Sequence, residues 1–283
     1  MSASPPVRRS RYLVCAGREI HVSEWGPERG EAIVAWHGLA RTGRDFDELA
    51  HRFASRYRIV CPDTLGRGLS QWSPDPDHEY CLAFYARIAV ELVEQLGLGD
   101  FHWVGTSMGG ALGIVLAAGP LAGRVRRLVV NDIGPKLGEA AVERIRAYAG
   151  NPAAFDRMTE LEAYFRTVYK PFGALTDTQW RRLAETSMRR TAQGKVTPHY
   201  DPAMVRQFVV HPRDYDRWEE WDRITAPTLA LRGEVSDLLL ADVAAEMARR
   251  GPRARVVTIP GVGHAPALNV PDQLDLLDEV LAA

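Results

Sequence analysis

The chain has 283 residues, of which 46% are apolar and 25% are charged, a composition typical of a globular protein with one large core. Its formal net charge is −1 and its acidic and basic residues are interspersed, so no region of one sign exists to attract nucleic acid or anionic lipid. No apolar stretch approaches the roughly 18 residues of a membrane span, and residues 1–11 lack the apolar core of a signal peptide. We therefore expect a small-molecule substrate, with no nucleic acid and no membrane bound.

Short runs rich in Val and Ile alternate along the chain with longer amphipathic stretches. This alternation predicts an α/β fold, in which helices cover both faces of a mostly parallel eight-stranded sheet. The predicted strands are 12–15, 19–25, 32–36, 58–61, 101–104, 125–130, 228–231 and 255–259. The predicted helices are 46–54, 80–96, 108–118, 241–250 and 271–281.

Residues 136–223 interrupt this alternation, because they are helical in propensity, rich in arginine and aromatic residues, and without a convincing buried strand. We predict that they form a helical cap inserted after the sixth strand of a core domain made of residues 1–135 and 224–283. The segment has more aromatic surface than a loop could expose, so some of it should roof a pocket. Alternatively, these side chains only join the cap helices to one another and to the core. They are Ile145, Tyr148, Phe155, Met158, Tyr164, Phe165, Tyr169, Phe172, Trp180, Phe208 and Trp218.

The chain contains three cysteines, Cys15, Cys61 and Cys81, an odd number without paired spacing. This pattern argues against a disulfide framework and against a zinc site, and it favours a cytoplasmic location. Cys15 and Cys61 lie in strand-like runs, where a small buried apolar residue is the usual explanation, so we do not expect a cysteine nucleophile. We expect neither a metal nor a cofactor.

The strongest local signal is the stretch 101–110, in which an apolar strand leads into a Gly-x-Ser-x-Gly motif and then into a helix. At such a sharp turn Gly105 and Gly109 remove side chains that would collide, and the hydroxyl of Ser107 is exposed. The free N–H groups at the start of the helix point to where negative charge develops on an attacked carbonyl. We predict that Ser107 is a nucleophile and that the Met108 N–H is an oxyanion donor. The alternative is a tight turn with a capping serine.

A serine hydroxyl needs a base to take its proton and a carboxylate to orient that base. His264 is the one histidine after the last predicted strand, in the glycine-rich stretch 260–266, and we predict that it is the base. The chain order for a serine elbow of this type is serine, then the acid, then histidine.

The acid has three candidates. Asp237 comes just after the predicted strand 228–231, at the carboxyl edge of the sheet, and 27 residues before His264. Asp132 follows the preceding strand at the same edge and competes with it. We favour Asp237 over Asp132, and place Glu234 third.

The turn after the predicted strand 32–36 reads His37-Gly38-Leu39-Ala40-Arg41. Its backbone can provide a second oxyanion amide, for which Leu39 is the candidate. His37, Gly38 and Arg41 in this turn, together with Asp132, are candidate substrate-binding residues. The segment 63–70 resembles a phosphate loop at first sight but lacks the lysine and the glycine spacing of one, so we interpret it as a structural turn.

These motifs together resemble the α/β-hydrolase fold over nearly the whole chain. The resemblance rests on His37-Gly38, Gly66-Arg67-Gly68-Leu69-Ser70, the serine elbow and Gly263-His264. It implies that Ser107 is the nucleophile, His264 the general base and acid, Asp237 the orienting carboxylate, and Leu39 and Met108 the oxyanion amides. A cap between the sixth and seventh strands also matches this family, and there it shapes the substrate pocket.

The group that this chain most resembles includes bacterial esterases, enol-lactonases and hydrolases of carbon–carbon bonds in ring-cleavage products. We expect a serine hydrolase acting on a small ester or lactone; a carbon–carbon hydrolase or a cofactor-free perhydrolase is the alternative. A ligand-binding receptor on the same fold is a rival from another class, against which the triad argues. Arg41, Arg189 and Arg190 could hold a substrate carboxylate.

Overall fold

The computed structural model describes residues 7–282, so the first six residues of the stretch considered for a signal peptide lie outside the described range. The main sheet has eight strands in the order β1-β2-β4-β3-β5-β6-β9-β10. They are β1 (Arg9–Cys15), β2 (Arg18–Trp25), β3 (Ala32–Trp36), β4 (Arg58–Pro62), β5 (Phe101–Thr106), β6 (Val125–Asn131), β9 (Thr228–Gly233) and β10 (Arg255–Ile259).

The sheet is parallel from β4 to β10, whereas β2 pairs in antiparallel fashion with both β1 and β4. This confirms the predicted α/β class and all eight predicted strands. The largest difference is at the start of β1, which begins at Arg9 instead of residue 12. Its side chains are mostly exposed because β1 is an edge strand, so the apolar pattern that marks a buried strand is missing there.

The five predicted helices are all present, with shifts of a few residues at some ends. Within residues 7–282, no helix is both long and apolar enough to span a membrane. Outside the inserted segment the helices are α1 (Asp47–Phe53), α2 (Pro76–Glu79), α3 (Leu82–Gln95), α4 (Met108–Ala118), α10 (Ala241–Met247) and α11 (Pro271–Ala282).

The central strand β3 shows why the chain folds in three layers. All five of its residues are buried, as expected for a parallel strand covered on both faces. Because side chains alternate along a strand, Val34 and Trp36 pack into the core on the side of α3 and α4. Ile33 and Ala35 pack into the other core, with α1 and α11. The carboxyl ends of these strands form the edge at which the polar side chains meet.

The inserted segment, residues 136–223, lies between β6 and β9 and is mostly helical. It contains α5 (Glu139–Ala149), α6 (Met158–Val168), α7 (Asp177–Thr186), α8 (Gln207–Val210) and α9 (Trp218–Arg223). It also contains a hairpin, β7 (Met188–Arg190) and β8 (Val196–Pro198), and β8 is buried. The expectation of a segment without a buried strand is therefore wrong, because strands of three residues are too short to show an alternating pattern. A separate small core within this segment includes Phe165 and Trp180.

Candidate active site

Ser107 occupies the turn between β5 and α4. Its backbone is in a strained conformation, with φ of 53° and ψ of −121°. A side chain on Gly105 would meet the carbonyl oxygen of Gly109 at 2.2 Å, and one on Gly109 would meet that of Trp36 at 2.1 Å. Both positions therefore require glycine, and the turn can be this tight only because the motif provides it.

His264 lies between Ser107 and a carboxylate. Its Nε2 is 2.9 Å from the Ser107 Oγ, and its Nδ1 is 2.7 Å from Oδ2 of Asp132. In the tautomer with the proton on Nδ1, the imidazole donates to Asp132 and accepts from the serine hydroxyl. The structure thus brings the predicted nucleophile and the predicted base into direct contact.

The partner of His264 is Asp132, which corrects the preference for Asp237. Asp237 instead forms a bidentate ion pair with Arg144 of the inserted segment, in which Nη2 and Nε of the arginine lie 2.8 and 2.9 Å from the two carboxylate oxygens. Both side chains are about half exposed. The third candidate, Glu234, accepts a hydrogen bond from the N–H of Gly261. β6 and β9 are neighbours, so Asp132 and Asp237 both follow strands that end at the same edge, and chain order could not separate them.

Asp132 is completely buried and is held by three donors. Besides His264, the N–H of Gly233 binds its Oδ1 at 2.7 Å, and the hydroxyl of Ser236 binds its Oδ2 at 2.5 Å. Its own backbone is in the left-handed region, with φ of 54°. Several donors are needed to keep an ionised carboxylate buried at tolerable cost. Ser236 is not among the predicted site residues, and its only signal in the sequence is its position one residue before Asp237.

The turn 37–41 approaches Ser107 from β3. Gly38 is so close that a side chain there would lie 3.4 Å from the Cβ of Ser107. His37 is fully buried beneath this turn: its Nδ1 binds the carbonyl of Gly38 at 2.7 Å, and its Nε2 accepts from the N–H of Thr64 at 2.9 Å. Burial lowers the pKa of His37 to about 4, although the charge of Asp63 opposes this shift. His37 does not line the cavity described below, so the structure does not support it as a substrate-binding residue.

Arg67 supports the same turn from the segment 63–70. Its guanidinium is fully buried and donates to the carbonyl of Leu39 at 2.8 Å and to the hydroxyl of Tyr85 at 2.8 Å. Asp63 accepts from the N–H groups of Gly43 and Leu69. These contacts agree with the interpretation of 63–70 as a structural turn. In the sequence Arg67 stands out only as part of the motif Gly66-Arg67-Gly68-Leu69-Ser70, which does not by itself predict that Arg67 holds the turn.

Two backbone N–H groups beside Ser107 are free to bind an oxyanion. Within residues 7–282, the N–H groups of Leu39 and Met108 have no hydrogen-bond acceptor, whereas those of Gly110 and Ala111 bind the carbonyl of Ser107. Met108 is the first residue of α4, so its N–H also lies at the positive end of the helix dipole. Both groups are therefore available for the role predicted for them.

A cavity of about 800 Å³ opens over Ser107 and His264. This volume is within the usual range for small-molecule sites. The core contributes Gly38, Leu39, Thr106 and the loop 263–267 to its lining, while Asp132 lies behind His264 and does not reach it. Part of the predicted aromatic set roofs the cavity, and another part packs within the inserted segment, while Phe208 and Trp218 pack against the core on the side of α3 and α4. The roof includes Ile145, Tyr148, Tyr169 and Phe172.

Arg41 lines the cavity with its Nε and Nη2 already occupied, whereas its Nη1 is buried without a hydrogen-bond partner among residues 7–282. It binds both carboxylate oxygens of Asp45, at 2.9 and 2.6 Å, and the hydroxyl of Ser187 at 2.9 Å. It also lies 4.7 Å from the centre of the Tyr169 ring. Arg41 thus ties the turn 37–41 to the inserted segment, with its charge neutralised by Asp45.

Arg189 and Arg190, the other arginines considered for substrate binding, do not line the cavity. Arg189 stacks on Trp72, and Arg190 donates to the carbonyl of Gly194. The three cysteines are buried free thiols. Burial, with a smaller contribution from Glu91, raises the pKa of the Cys15 thiol to about 11, so the reactive thiolate is suppressed. Within the described part of the chain, no group of three or more His, Cys, Asp or Glu could hold a metal.

The arrangement has the parts of an acyl-transfer site. A hydroxyl hydrogen-bonded to an imidazole can pass its proton to that ring as it attacks a carbonyl carbon. The buried carboxylate would hold the ring in the required tautomer and stabilise its charged form. The free amides would bind the oxygen on which charge develops.

Comparison with known proteins finds hydrolases similar to this chain. The model of the family described as "Alpha/beta hydrolase family" matches residues 33–275. A 3-hydroxybutyrate-oligomer hydrolase of Cupriavidus necator is 40% identical over 97% of both chains. A 2-(acetamidomethylene)succinate hydrolase of Mesorhizobium japonicum is 28% identical over 83% of this chain and 82% of its own. The crystal structure of an alpha/beta hydrolase from Novosphingobium aromaticivorans superposes with a TM-score of 0.86 and 33% identity, and covers 97% of this chain and 98% of its own.

Proposed function

This chain belongs to the α/β hydrolase family, and from that premise we propose that it hydrolyses carboxylic esters through an acyl-enzyme formed on Ser107. The observation that carries the proposal is the continuous hydrogen-bonded array from Ser107 through His264 to Asp132, at 2.9 and 2.7 Å. The array opens into a cavity of about 800 Å³, so a small molecule can reach the hydroxyl.

In the proposed reaction, the Ser107 Oγ attacks the ester carbonyl while its proton moves to Nε2 of His264. The N–H groups of Leu39 and Met108 bind the oxyanion, and His264 then returns the proton to the departing alcohol. Water, deprotonated by His264, attacks the acyl-enzyme and releases the acid. Asp132 holds His264 in place throughout and stays ionised.

We propose short oligoesters of hydroxy acids, with oligomers of 3-hydroxybutyrate as the first candidate, as the substrate class. The support is the 40% identity over 97% of both chains to the hydrolase named for that substrate. The roof of Ile145, Tyr148 and Phe172 is largely apolar and suits a chain of small aliphatic units. Fold alone would not choose this substrate.

We also propose that the inserted segment acts as a cap that closes the cavity. It is bonded to the loop that bears His264, since the N–H of Gly263 donates to the carbonyl of Pro171 at 2.8 Å and that of Ala267 to the carbonyl of Phe172 at 3.2 Å. A cap held in this way excludes water from the reacting atoms and strengthens the electrostatic interactions among them.

The first experiment combines a fluorophosphonate probe with the linear 3-hydroxybutyrate trimer. Peptide mass spectrometry is expected to find the adduct on Ser107, and chromatography is expected to show the monomer released from the trimer. The Ser107→Ala variant serves as the control. Folded protein that forms no adduct and cleaves neither the trimer nor p-nitrophenyl esters would contradict the proposal.

The same three side chains would serve a hydrolase of carbon–carbon bonds or a perhydrolase, which differ in the pocket. Dienoic keto acids from ring cleavage, and acetate with hydrogen peroxide, are therefore tested beside the esters. Turnover of either one, together with failure on all esters, would replace the ester proposal with the corresponding alternative.

A further inference from the structure

The charged side chains around the cavity do not balance. Its lining contains five cationic side chains and three carboxylates, in a chain whose formal net charge is −1. The cations are Arg41, Arg44, Arg144, Lys170 and Arg182, and the carboxylates are Asp45, Glu48 and Asp237. A cavity lined with surplus positive charge favours an anion over a neutral ligand of the same shape.

The ion pairs show where the surplus lies. Four of the five cations are bound to a carboxylate: Arg41 to Asp45, Arg44 to Asp47, Arg182 to Glu48 and Arg144 to Asp237. Lys170 is exposed, and no carboxylate lies within 4 Å of it among residues 7–282. Because Asp47, which lies outside the lining, balances Arg44, the one positive charge of the lining without a paired carboxylate is that of Lys170.

The pairs also differ in how firmly they are buried. The side chain of Arg41 is 5% exposed and that of Arg182 28%, whereas Arg144 and Asp237 are each 49% exposed. A half-exposed pair contributes little free energy, because water screens it. Arg144 can therefore exchange Asp237 for another carboxylate at a small cost in free energy. Its planar guanidinium can bind that carboxylate through two parallel hydrogen bonds.

Arg144 and Lys170 lie at the same side of the roof. The carbonyl of Pro171 accepts from the N–H of Gly263 at 2.8 Å, and the carbonyl of Val262 accepts from the N–H of Val235 at 3.0 Å. Lys170 directly precedes Pro171, and Asp237, the partner of Arg144, lies two residues after Val235, so these contacts connect the two cations through the loops after β9 and β10. Both cations line the cavity and both are open to solvent, whereas Ser107 is 8% exposed. They thus stand at the entrance, with the nucleophile further inside.

We propose that Arg144 and Lys170 form a carboxylate-binding site at the entrance of the cavity, which holds the free acid end of an anionic ester whose ester bond reaches Ser107. Without substrate, Asp237 is paired with Arg144, and the carboxylate of the substrate displaces it. This inference rests on the proposed ester hydrolysis and refines its substrate class: the enzyme prefers an ester with a free carboxylate to the same ester with that group blocked.

The test uses two substrates that differ only in this charge, the linear 3-hydroxybutyrate trimer and the same trimer with its terminal carboxyl methylated. The ratio of their kcat/KM values is expected to favour the free acid and to fall at high ionic strength. In the double variant Arg144→Gln, Lys170→Gln the ratio should fall about five- to tenfold, as expected from the loss of two solvent-screened charges. Asp237→Asn should raise it, because one negative charge leaves the entrance.

Arg181→Gln is the matched control, since Arg181 is an exposed arginine of α7 that does not line the cavity. Its ratio should equal that of the wild type, and Lys170→Arg should retain most of the preference. A double variant with an unchanged ratio would overturn the proposal.

Calorimetric binding of both trimers to Ser107→Ala separates this proposal from the proposed function. If the wild type cleaves neither trimer, the oligoester function is wrong, but tighter binding of the free acid that is lost in the double variant would still support the entrance site. Equal binding of the two trimers would reject it.

Discussion

The sheet carries two Ser–His–Asp arrays of nearly equal geometry. In the first, at the carboxyl edge, the Ser107 Oγ is 2.9 Å from His264, which is 2.7 Å from Asp132. In the second, on the antiparallel edge, the Oγ of Ser10 is 2.8 Å from Nε2 of His21, and the Nδ1 of that ring is 2.8 Å from Asp63. Distances between three side chains therefore do not distinguish the two.

The surroundings of the two serines differ in every other respect. Ser10 lies in the extended strand β1, exposed and outside the cavity, and no helix begins after it. Ser107 has a strained backbone, the start of α4 behind it, and a cavity in front of it. The comparison teaches that three hydrogen-bonded side chains do not by themselves make an acyl-transfer site, and that the proposed function of Ser107 depends on the free backbone amides and the cavity beside it.

The largest expected effect separates the two serines directly. Ser107→Ala should lower kcat/KM for p-nitrophenyl butyrate by roughly 10⁴- to 10⁶-fold, because the members of a triad act as a unit. Ser10→Ala should leave kcat/KM within about twofold of the wild type. Steady-state rates of both variants check this, and a large loss in Ser10→Ala would show that the second array takes part in turnover.

A loss of roughly 10³- to 10⁴-fold is expected for Asp132→Asn, because the amide favours the wrong tautomer of His264. Asp237→Asn should cost no more than about fivefold on a neutral ester, since that carboxylate binds Arg144 and not the imidazole. Kinetics of the two variants on one substrate decide between the aspartates. The reverse order of effects would restore Asp237 as the acid.

The turn beside Ser107 should weaken in acid, because the buried ring of His37 supports it. Burial lowers the pKa of His37 from 6.5 to about 4, so the unfolded chain binds its proton more readily than the folded one does. The stability contributed by neutral His37 is complete above pH 6.5 and falls by about 3 kcal/mol as the pH drops to 4. Protonation would also remove the acceptor of the Thr64 N–H.

Urea unfolding between pH 4 and pH 7 measures this loss, and NMR titration of the His37 ring measures its pKa directly. A ring that titrates near pH 6.5 in the folded protein would contradict the assignment.

The smallest effect concerns the donors to the triad carboxylate. Ser236→Ala removes the hydroxyl that binds Oδ2 of Asp132 at 2.5 Å, and should lower kcat/KM about tenfold, as expected for one hydrogen bond to a buried charge. KM should change less than kcat, because Ser236 does not line the cavity. Ser236→Thr keeps the hydroxyl and should recover most of the rate. Equal losses in both variants would indicate a packing effect.

The sequence alone determined the features that depend on local backbone requirements. The apolar runs identified the inner parallel strands such as β3, β4 and β5, since a strand buried on both faces must be apolar throughout, whereas the edge strands β1 and β10 are partly exposed. The serine elbow was recognisable because only glycine fits at positions 105 and 109, where a side chain would lie 2.2 and 2.1 Å from backbone oxygens. The position of His264 after the last strand placed it at the correct edge.

Only the tertiary structure decided which carboxylate meets His264, and which charges meet at the cavity entrance. Asp132 and Asp237 follow adjacent strands, so both reach the same edge, and the choice depends on where each side chain finds partners. Asp132 turns inward to Gly233, Ser236 and His264, while Arg144, from a segment inserted between the two strands, holds Asp237 at the surface. These partners are up to 132 residues apart in the chain, and no local pattern records such contacts.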